Sequence, residues 1–316
     1  MFKATVKSRI DEDISILIQQ DNHPWNYLAE CGDASDLTVK EVQNTNAIFI
    51  SHTHIDHFVN FDSVIRHQLG IQRRVTICGT AGIAQQVQSR IQSYTWNLVE
   101  ANAVVYEIRA LLPNNTIQVF ELAPPLWELK PLETMDGNVI FQEKSFKVSA
   151  VLLDHKIPTL AYKFEEEDTV KIDLSQSNFR GGKWVRALKA AFDNNDLEQD
   201  IELEGNIYKA KDLFHLLHIK KGDTLGIIMD HAPHTANHQA IVQQFNGCRQ
   251  VLIESFYKNE DKEFAQANFH SYAAMSGKIM RQAQVQEPIP VHFSRKYKQE
   301  DIDCLLAEFQ TAFEQE

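Results

Sequence analysis

Short apolar runs separated by polar punctuation dominate the first fifty residues. Residues 14–18 and 27–29 read as strands, parted by the turn-rich Asp21-Asn22-His23-Pro24. Residues 47–50 and 75–78 are apolar runs bounded by polar residues or Gly79, the pattern of buried strands. Between them Phe58, Phe61, Val64, Ile65 and Leu69 fall at helical spacing, so 58–69 predicts a helix, and 83–98 predicts another. From 104 to 150 the pattern is strand-like, and 148–153 is a strand ending in Asp154-His155. Residues 165–221 are polar, contain Gly181-Gly182 and predict one or two short helices. Beyond them, 225–229 and 251–253 read as strands, and 235–245, 271–284 and 300–313 as helices. Strands that end in polar residues recur. The order predicts a layered α/β protein with its site at the strand ends. We expect a single domain over 1–316, with 165–221 as an insertion or arm.

Composition narrows the class. Of 316 residues, 31 are basic and 43 acidic, a formal net charge of −12, and 43 % are hydrophobic. That apolar content excludes disorder as the main state. The acidic balance argues against a wholly basic nucleic-acid protein and leaves room for a local basic patch. No apolar run reaches the roughly 18–20 residues of a membrane span. The opening Met1-Phe2-Lys3 is charged within three residues and no apolar core follows, so no secretory signal is expected. Cys31, Cys78, Cys248 and Cys304 lie far apart and form no CxxC pair, which predicts reduced thiols and a cytoplasmic location.

The segment that carries chemistry is Ser51-His52-Thr53-His54-Ile55-Asp56-His57, directly after the 47–50 strand. Imidazole nitrogens and carboxylate oxygens are ready ligands for a divalent metal such as zinc. In a turn after a strand, His52 and His54 can share one ion, and Asp56 and His57 can hold a second a few ångströms away. A polar loop of ordinary surface histidines is the bland reading, and the density of ligand types opposes it.

HxHxDH at this place resembles the signature of the metallo-β-lactamase superfamily. The resemblance implies an αββα sandwich, two mixed β-sheets flanked by helices, with a dinuclear site at one edge. It also implies further ligands late in the chain, each from a strand end. His155, before Pro158-Thr159-Leu160-Ala161-Tyr162, resembles the family's third motif. Asp230, in Met229-Asp230-His231, stands where the family has a bridging aspartate. His292-Phe293-Ser294-Arg295-Lys296-Tyr297 resembles the His-Phe-Ser-x-Arg-Tyr end motif of ribonuclease Z, the transfer-RNA 3′-processing endonuclease. By this resemblance His52, His54 and His155 hold one metal, Asp56, His57 and His292 the other, and Asp230 bridges both. The ions would be zinc, with manganese or iron as alternatives.

Further segments resemble ribonuclease Z. Ile253-Glu254-Ser255-Phe256 stands where that family has His-Glu-Ala-Thr, and Phe269-His270-Ser271 where it has His-Ser-Thr. The resemblance makes His270 a proton or hydrogen-bond donor oriented by Glu254, and Asp56 a ligand and proton acceptor. Glu30-Cys31-Gly32-Asp33 resembles Asp-Cys-Gly-Glu, and Gly79-Thr80-Ala81-Gly82 a Gly-Pro-x-Gly turn. Val6-Lys7-Ser8-Arg9 stands where a Gly-Thr-Gly turn is expected, and the Gly-Pro motif of the transfer-RNA-gripping arm is missing. In its place stands Asn178-Phe179-Arg180-Gly181-Gly182-Lys183-Trp184-Val185-Arg186. Glycines let a backbone approach phosphate, and Arg180, Lys183 and Arg186 supply countercharge, so these three, with Ser294 and Arg295, are the candidate substrate-binding residues. A solvated amphipathic helix start is the competing reading. His231, His234 and His238 read as pocket-lining or as solvent-facing helix residues. The expected function is cleavage of the 3′ trailer of precursor transfer RNA, with RNA as partner and a homodimer implied. Hydrolysis of cyclic nucleotides or other small phosphodiesters, and a metal-free relative kept for binding, are the alternatives.

Overall fold

The computed structural model describes residues 1–101, 103–175 and 177–315. They form two compact units, Met1–Glu165 with Thr224–Glu316, and Glu166–Asp223.

The larger unit is built on two mixed sheets. Eight strands pair in chain order in the first: Phe2–Val6, Ile16–Gln20, Asn26–Ala29, Thr45–Phe49, Arg74–Thr80, Val105–Leu111, Thr116–Ala123 and Glu128–Asp136. The second runs Glu287–Val291, Gln250–Glu254, Thr224–Ile228, Pro158–Glu166, Phe146–Asp154 and Val139–Gln142. Central strands bury both faces, and their side chains alternate between two cores. Tyr27, Ala29, Ala47 and Phe49 face the second sheet, where Tyr162, Phe164, Leu225 and Leu252 meet them. Leu28, Ile48 and Ile50 face outward onto helices Phe61–Gln68 and Ile83–Gln92. Helices Thr235–Phe245, Ala273–Gln282 and Gln299–Glu314 cover the second sheet's outer face through Ile241, Phe245, Ile279, Leu305 and Phe309. The layers are therefore helix, sheet, sheet, helix, the expected αββα order.

Several predicted elements need correction. The 58–69 helix is two: a short turn Ile55–Phe58 and Phe61–Gln68. The Asn60 N–H is drawn to the Cys31 carbonyl, 2.9 Å away, which interrupts the helical ladder. The 83–98 helix stops at Gln92, because the Trp96 indole N–H donates to the Ile91 carbonyl at 2.7 Å. The 271–284 helix starts at Ala273 and ends at Gln282. Four strands of the smaller unit, Thr169–Ile172, Asp200–Leu203, Asn206–Lys209 and Leu217–Lys220, escaped the pattern, which gave only short helices there, and so did two strands of the larger unit. Phe2–Val6 is an edge strand whose Lys3 is exposed, and only its Phe2 is buried. Glu287–Val291 carries Pro288 and Pro290, which look wrong for a strand. It is an edge strand, and the pairing Glu287 N–H to Arg249 O points the alternate, N–H-less proline positions away from its neighbour.

The smaller unit has its own core of Trp184, Leu188, Ala191, Ile201, Leu203, Ala210, Leu213 and Leu216. It holds helix Lys183–Asp193, the hairpin Asp200–Leu203 with Asn206–Lys209, and the strand pair Thr169–Ile172 with Leu217–Lys220. The hairpin turns on Glu204-Gly205, both at positive φ, the primed turn that suits strand twist. Among the described residues no helix is long and apolar enough to cross a membrane.

Candidate metal centre

Parallel pairing gathers the site. Strands Thr224–Ile228, Gln250–Glu254 and Glu287–Val291 run parallel, so their C-terminal ends deliver Asp230, Glu254 and His292 to one edge. In the first sheet Asn26–Ala29 and Thr45–Phe49 are also parallel and deliver Glu30 and the 51–57 turn. Two contacts tie that turn to the second sheet. Leu160 N–H donates to the Ser51 carbonyl at 3.0 Å, and the Tyr162 hydroxyl donates to the Ile50 carbonyl at 2.7 Å.

The ligand-type atoms of His52, His54, His155 and Asp230 all lie within 4.8 Å of one another, and so do those of Asp56, His57, His292 and Asp230. Asp230 divides its two oxygens between these groups. Its Oδ2 lies 3.8 Å from His52 Nε2 and 3.4 Å from His155 Nε2. Its Oδ1 lies 3.3 Å from His57 Nε2 and 2.9 Å from His292 Nδ1. Asp56 Oδ2 stands 3.6 Å from both His57 Nε2 and His292 Nε2. All seven residues in the expected ligand set are therefore brought together. Asp230 and the rings of His52, His57 and His155 are buried, whereas His54 is exposed.

The far nitrogen of three rings is held by the protein. His57 Nδ1–H donates to Glu30 at 3.1 Å, His155 Nδ1–H donates to the Phe269 carbonyl at 2.7 Å, and His52 Nδ1 pairs with the Ser51 hydroxyl at 3.0 Å. Such outer partners fix ring orientation and tautomer. With Nδ1 spent on the Phe269 carbonyl, His155 presents Nε2 to Asp230 Oδ2, 3.4 Å away, the direction a shared metal ion would occupy. His52 Nε2, His57 Nε2, His292 Nδ1 and Asp230 Oδ1 are buried without a hydrogen bond of good geometry. An unsatisfied buried polar atom costs about 1–3 kcal/mol. The donor set therefore fits divalent metal.

Electrostatics divides the two groups. Burial, then the neighbouring His57, pushes His52 down to about 2. Burial would lower His292 too, but the Asp230 carboxylate overrides it and holds His292 at about 9. His57 is likewise raised, against its burial, by Asp230 and Glu30. Asp230 is held well below the usual carboxylate range, because His292 and His57 outweigh the opposing effect of burial.

Beside the metal groups, His270 Nδ1 hydrogen-bonds Glu254 and lies 3.7 Å from Asp230 Oδ2. Glu254 is fully buried, and its other oxygen accepts the N–H groups of His231 and Ser271 at 3.1 and 3.2 Å. His270 is raised, since Glu254 overcomes the effect of burial. A cleft of about 730 Å³ opens next to Asp56 and His292, and Phe256, Ser294 and Arg295 line it. Arg295 is ion-paired there with Asp13. Arg180, Lys183 and Arg186 are elsewhere in the chain, in the smaller unit, and all three are exposed. The aromatics beside them are structural: Phe179 packs on Trp184 and Tyr208.

Some functional positions were not evident in the sequence. Glu30 orients His57 from 27 residues away. It sits at φ 64°, and the loop holding it needs Gly32, where a Cβ would come within 2.4 Å of the Asp13 backbone. The signal available was Glu30-Cys31-Gly32-Asp33 itself. His231 is fully buried and donates Nδ1–H to the Met229 carbonyl, so it does not face solvent. His234 caps helix Thr235–Phe245 by accepting the Asn237 N–H.

No family model matches the chain. The layered architecture with this cluster at its edge is the metallo-β-lactamase fold. YhfI of Bacillus subtilis, described as a metallo-β-lactamase fold protein, superposes with a TM-score of 0.59 at 13 % identity, covering 99 % of this chain and 93 % of that one. The short form of human tRNase Z superposes equally, at 0.59 and 15 % identity over 94 % of each chain. Within that fold the sequence is similar to ribonuclease Z over almost its whole length. The protein of that name from Deinococcus radiodurans is 25 % identical across 99 % of this chain and 96 % of its own.

Proposed function

We propose that the chain is a metal-dependent endoribonuclease of the ribonuclease Z type, which removes the 3′ trailer of precursor transfer RNA. The observation that carries the reading is the Asp230 carboxylate, one oxygen toward His52 and His155 and the other toward His57 and His292. His52, His54 and His155 would hold one divalent ion and Asp56, His57 and His292 a second, zinc by resemblance, with Asp230 between them. Two such ions supply an activated water and neutralise phosphoryl oxygens. The chain's own residues do the rest. Glu30, Ser51 and the Phe269 carbonyl keep the rings turned inward. Asp56 would accept a proton. Glu254 pins His270 Nδ1, which leaves Nε2 to give a proton or hydrogen bond to the leaving oxygen. Ser294 and Arg295 stand at the cleft to meet substrate, and Arg180, Lys183 and Arg186 would grip phosphates of the transfer RNA body. The same resemblance supports a homodimer, and the unpaired cysteines support a cytoplasmic setting.

The test is a paired assay with metal analysis. Purified protein should carry about two divalent ions per chain and cleave a precursor transfer RNA at the 3′ trailer. Hydrolysis of a small chromogenic phosphodiester without any RNA cleavage would favour the small-substrate alternative. Protein free of metal and inert on both would overturn the enzyme reading.

A further inference from the structure

Where the ribonuclease Z pattern has a threonine, this chain has Phe256, and the aromatic ring has a specific partner. It lies flat on the His270 imidazole, with ring centroids 4.0 Å apart and planes 8° from parallel. Around the same imidazole, the His155 ring meets it edge-on at 4.7 Å and Tyr257 meets it at 5.9 Å. Phe256 is itself held: its carbonyl accepts the Ser294 N–H at 3.0 Å, and Tyr257 packs against it at 4.9 Å, nearly perpendicular. It also lines the cleft that Asp56 and His292 border, so it forms the wall between that cleft and His270.

A single hydrogen bond, Nδ1 to Glu254, anchors the imidazole at one atom, so rotation about that bond is left for the surrounding rings to resist, and Phe256 is the one that covers a whole face. A flat aromatic surface against one face resists that rotation, and stacked rings are held together beyond what burial alone supplies. Threonine has no surface that could do this. Accurate aim matters because a misplacement of about 1 Å can cost 10²-fold in rate.

We infer that Phe256 is the positioning residue of His270: by stacking on the imidazole it fixes the direction in which Nε2 meets the leaving oxygen. The inference rests on the hydrolase reading above for its catalytic consequence, but not for its structural one.

The experiment therefore has two arms, using Phe256→Leu and the conservative Phe256→Tyr. The first records histidine ring protons by NMR in metal-free protein, with the His270 signals assigned through His270→Gln. In the wild type the Phe256 ring current should displace the His270 signals. Phe256→Leu should return them to ordinary positions and replace one set of Glu254 cross-peaks by an averaged set, and Phe256→Tyr should behave as wild type. The second arm measures RNA cleavage by metal-loaded protein. Phe256→Leu should lower kcat by about tenfold to a hundredfold with KM and metal content unchanged, and Phe256→Tyr should restore it. His270 signals that keep the wild-type cross-peaks in Phe256→Leu would overturn the inference, as would a change confined to KM. If wild-type protein cleaves no RNA, the function proposed above fails, while the ring-proton arm still decides whether Phe256 holds His270.

Discussion

The metal centre and the basic segment of the smaller unit treat their polar side chains in opposite ways. At the centre, buried atoms of His52, His57, His292 and Asp230 face one another at 2.9 to 3.8 Å, and no hydrogen bond to the rest of the protein satisfies them. Burying unsatisfied polar atoms costs about 1–3 kcal/mol each, so a chain that clusters them around one carboxylate is arranged to share a ligand. Arg180, Lys183 and Arg186 lie in solvent, and among the described residues none of their head groups has an ion-pair partner. Exposed charges cost almost nothing to keep. Geometry alone is thus strong evidence for ligand binding in the first region, and in the second only a binding measurement has comparable weight.

The largest effect should come from Asp230, the residue both metal groups share. Asp230→Ala should remove both ions and reduce RNA cleavage to background. Elemental analysis beside the cleavage assay checks this. Full metal occupancy in that variant would break the argument from unsatisfied atoms. Next comes His270, which borders the site without belonging to the seven expected ligands. His270→Ala should slow cleavage by about 10²–10⁴-fold, the usual size for removal of an acid–base group, with metal content unchanged. Depletion of metal would place His270 among the ligands.

A smaller effect is expected one shell of side chains further out. Glu30 touches no substrate and holds His57 through Nδ1 at 3.1 Å. Removal of such an outer partner typically costs about 10–100-fold in metal affinity. Glu30→Gln keeps the shape and removes the charge, so chelator titration should show weakening within that range, and circular dichroism should show an intact fold. An unchanged affinity would mean that ring orientation is set by packing alone.

These positions also differ in how legible they were. The 51–57 segment stood out because its candidate ligands are local: four metal-type side chains in one turn after a strand. Asp230 and His155 were readable because each stands where the family motifs place a ligand, near the end of a strand, and His292 because it opens the His292-Phe293-Ser294 run of the end motif. Glu30 was not, because its role exists only when parallel pairing of Asn26–Ala29 with Thr45–Phe49 brings two loops together. The strand Glu287–Val291, which presents His292, was hidden by two prolines that only an edge position permits. In the smaller unit the aromatic and basic character of 178–186 suggested a grip on RNA, but Trp184 and Phe179 are packed into its core. Periodicity reports burial, and it does not distinguish a ring turned inward from one turned toward a ligand.

The smallest expected effect sharpens the other side of the comparison. Helix Lys183–Asp193 buries Trp184, Leu188 and Ala191, which leaves Lys183 and Arg186 on its solvent side, with Arg180 exposed just before it. Replacing Arg180, Lys183 and Arg186 by glutamine changes three exposed charges and none of the core, so the fold and the metal content should be untouched. If these residues grip transfer-RNA phosphates, each grip displaces condensed counterions. The log–log salt dependence of precursor binding should then become shallower by about one unit for each phosphate released. Under the proposed function, hydrolysis of a small chromogenic phosphodiester would depend on the metal cluster and His270 alone, so it should stay near the wild-type rate. A triple variant that binds precursor with an unchanged salt slope would show that the segment is only the solvated face of a helix. Recognition of the RNA would then have to come from the cleft beside Asp56, where Ser294 and Arg295 stand.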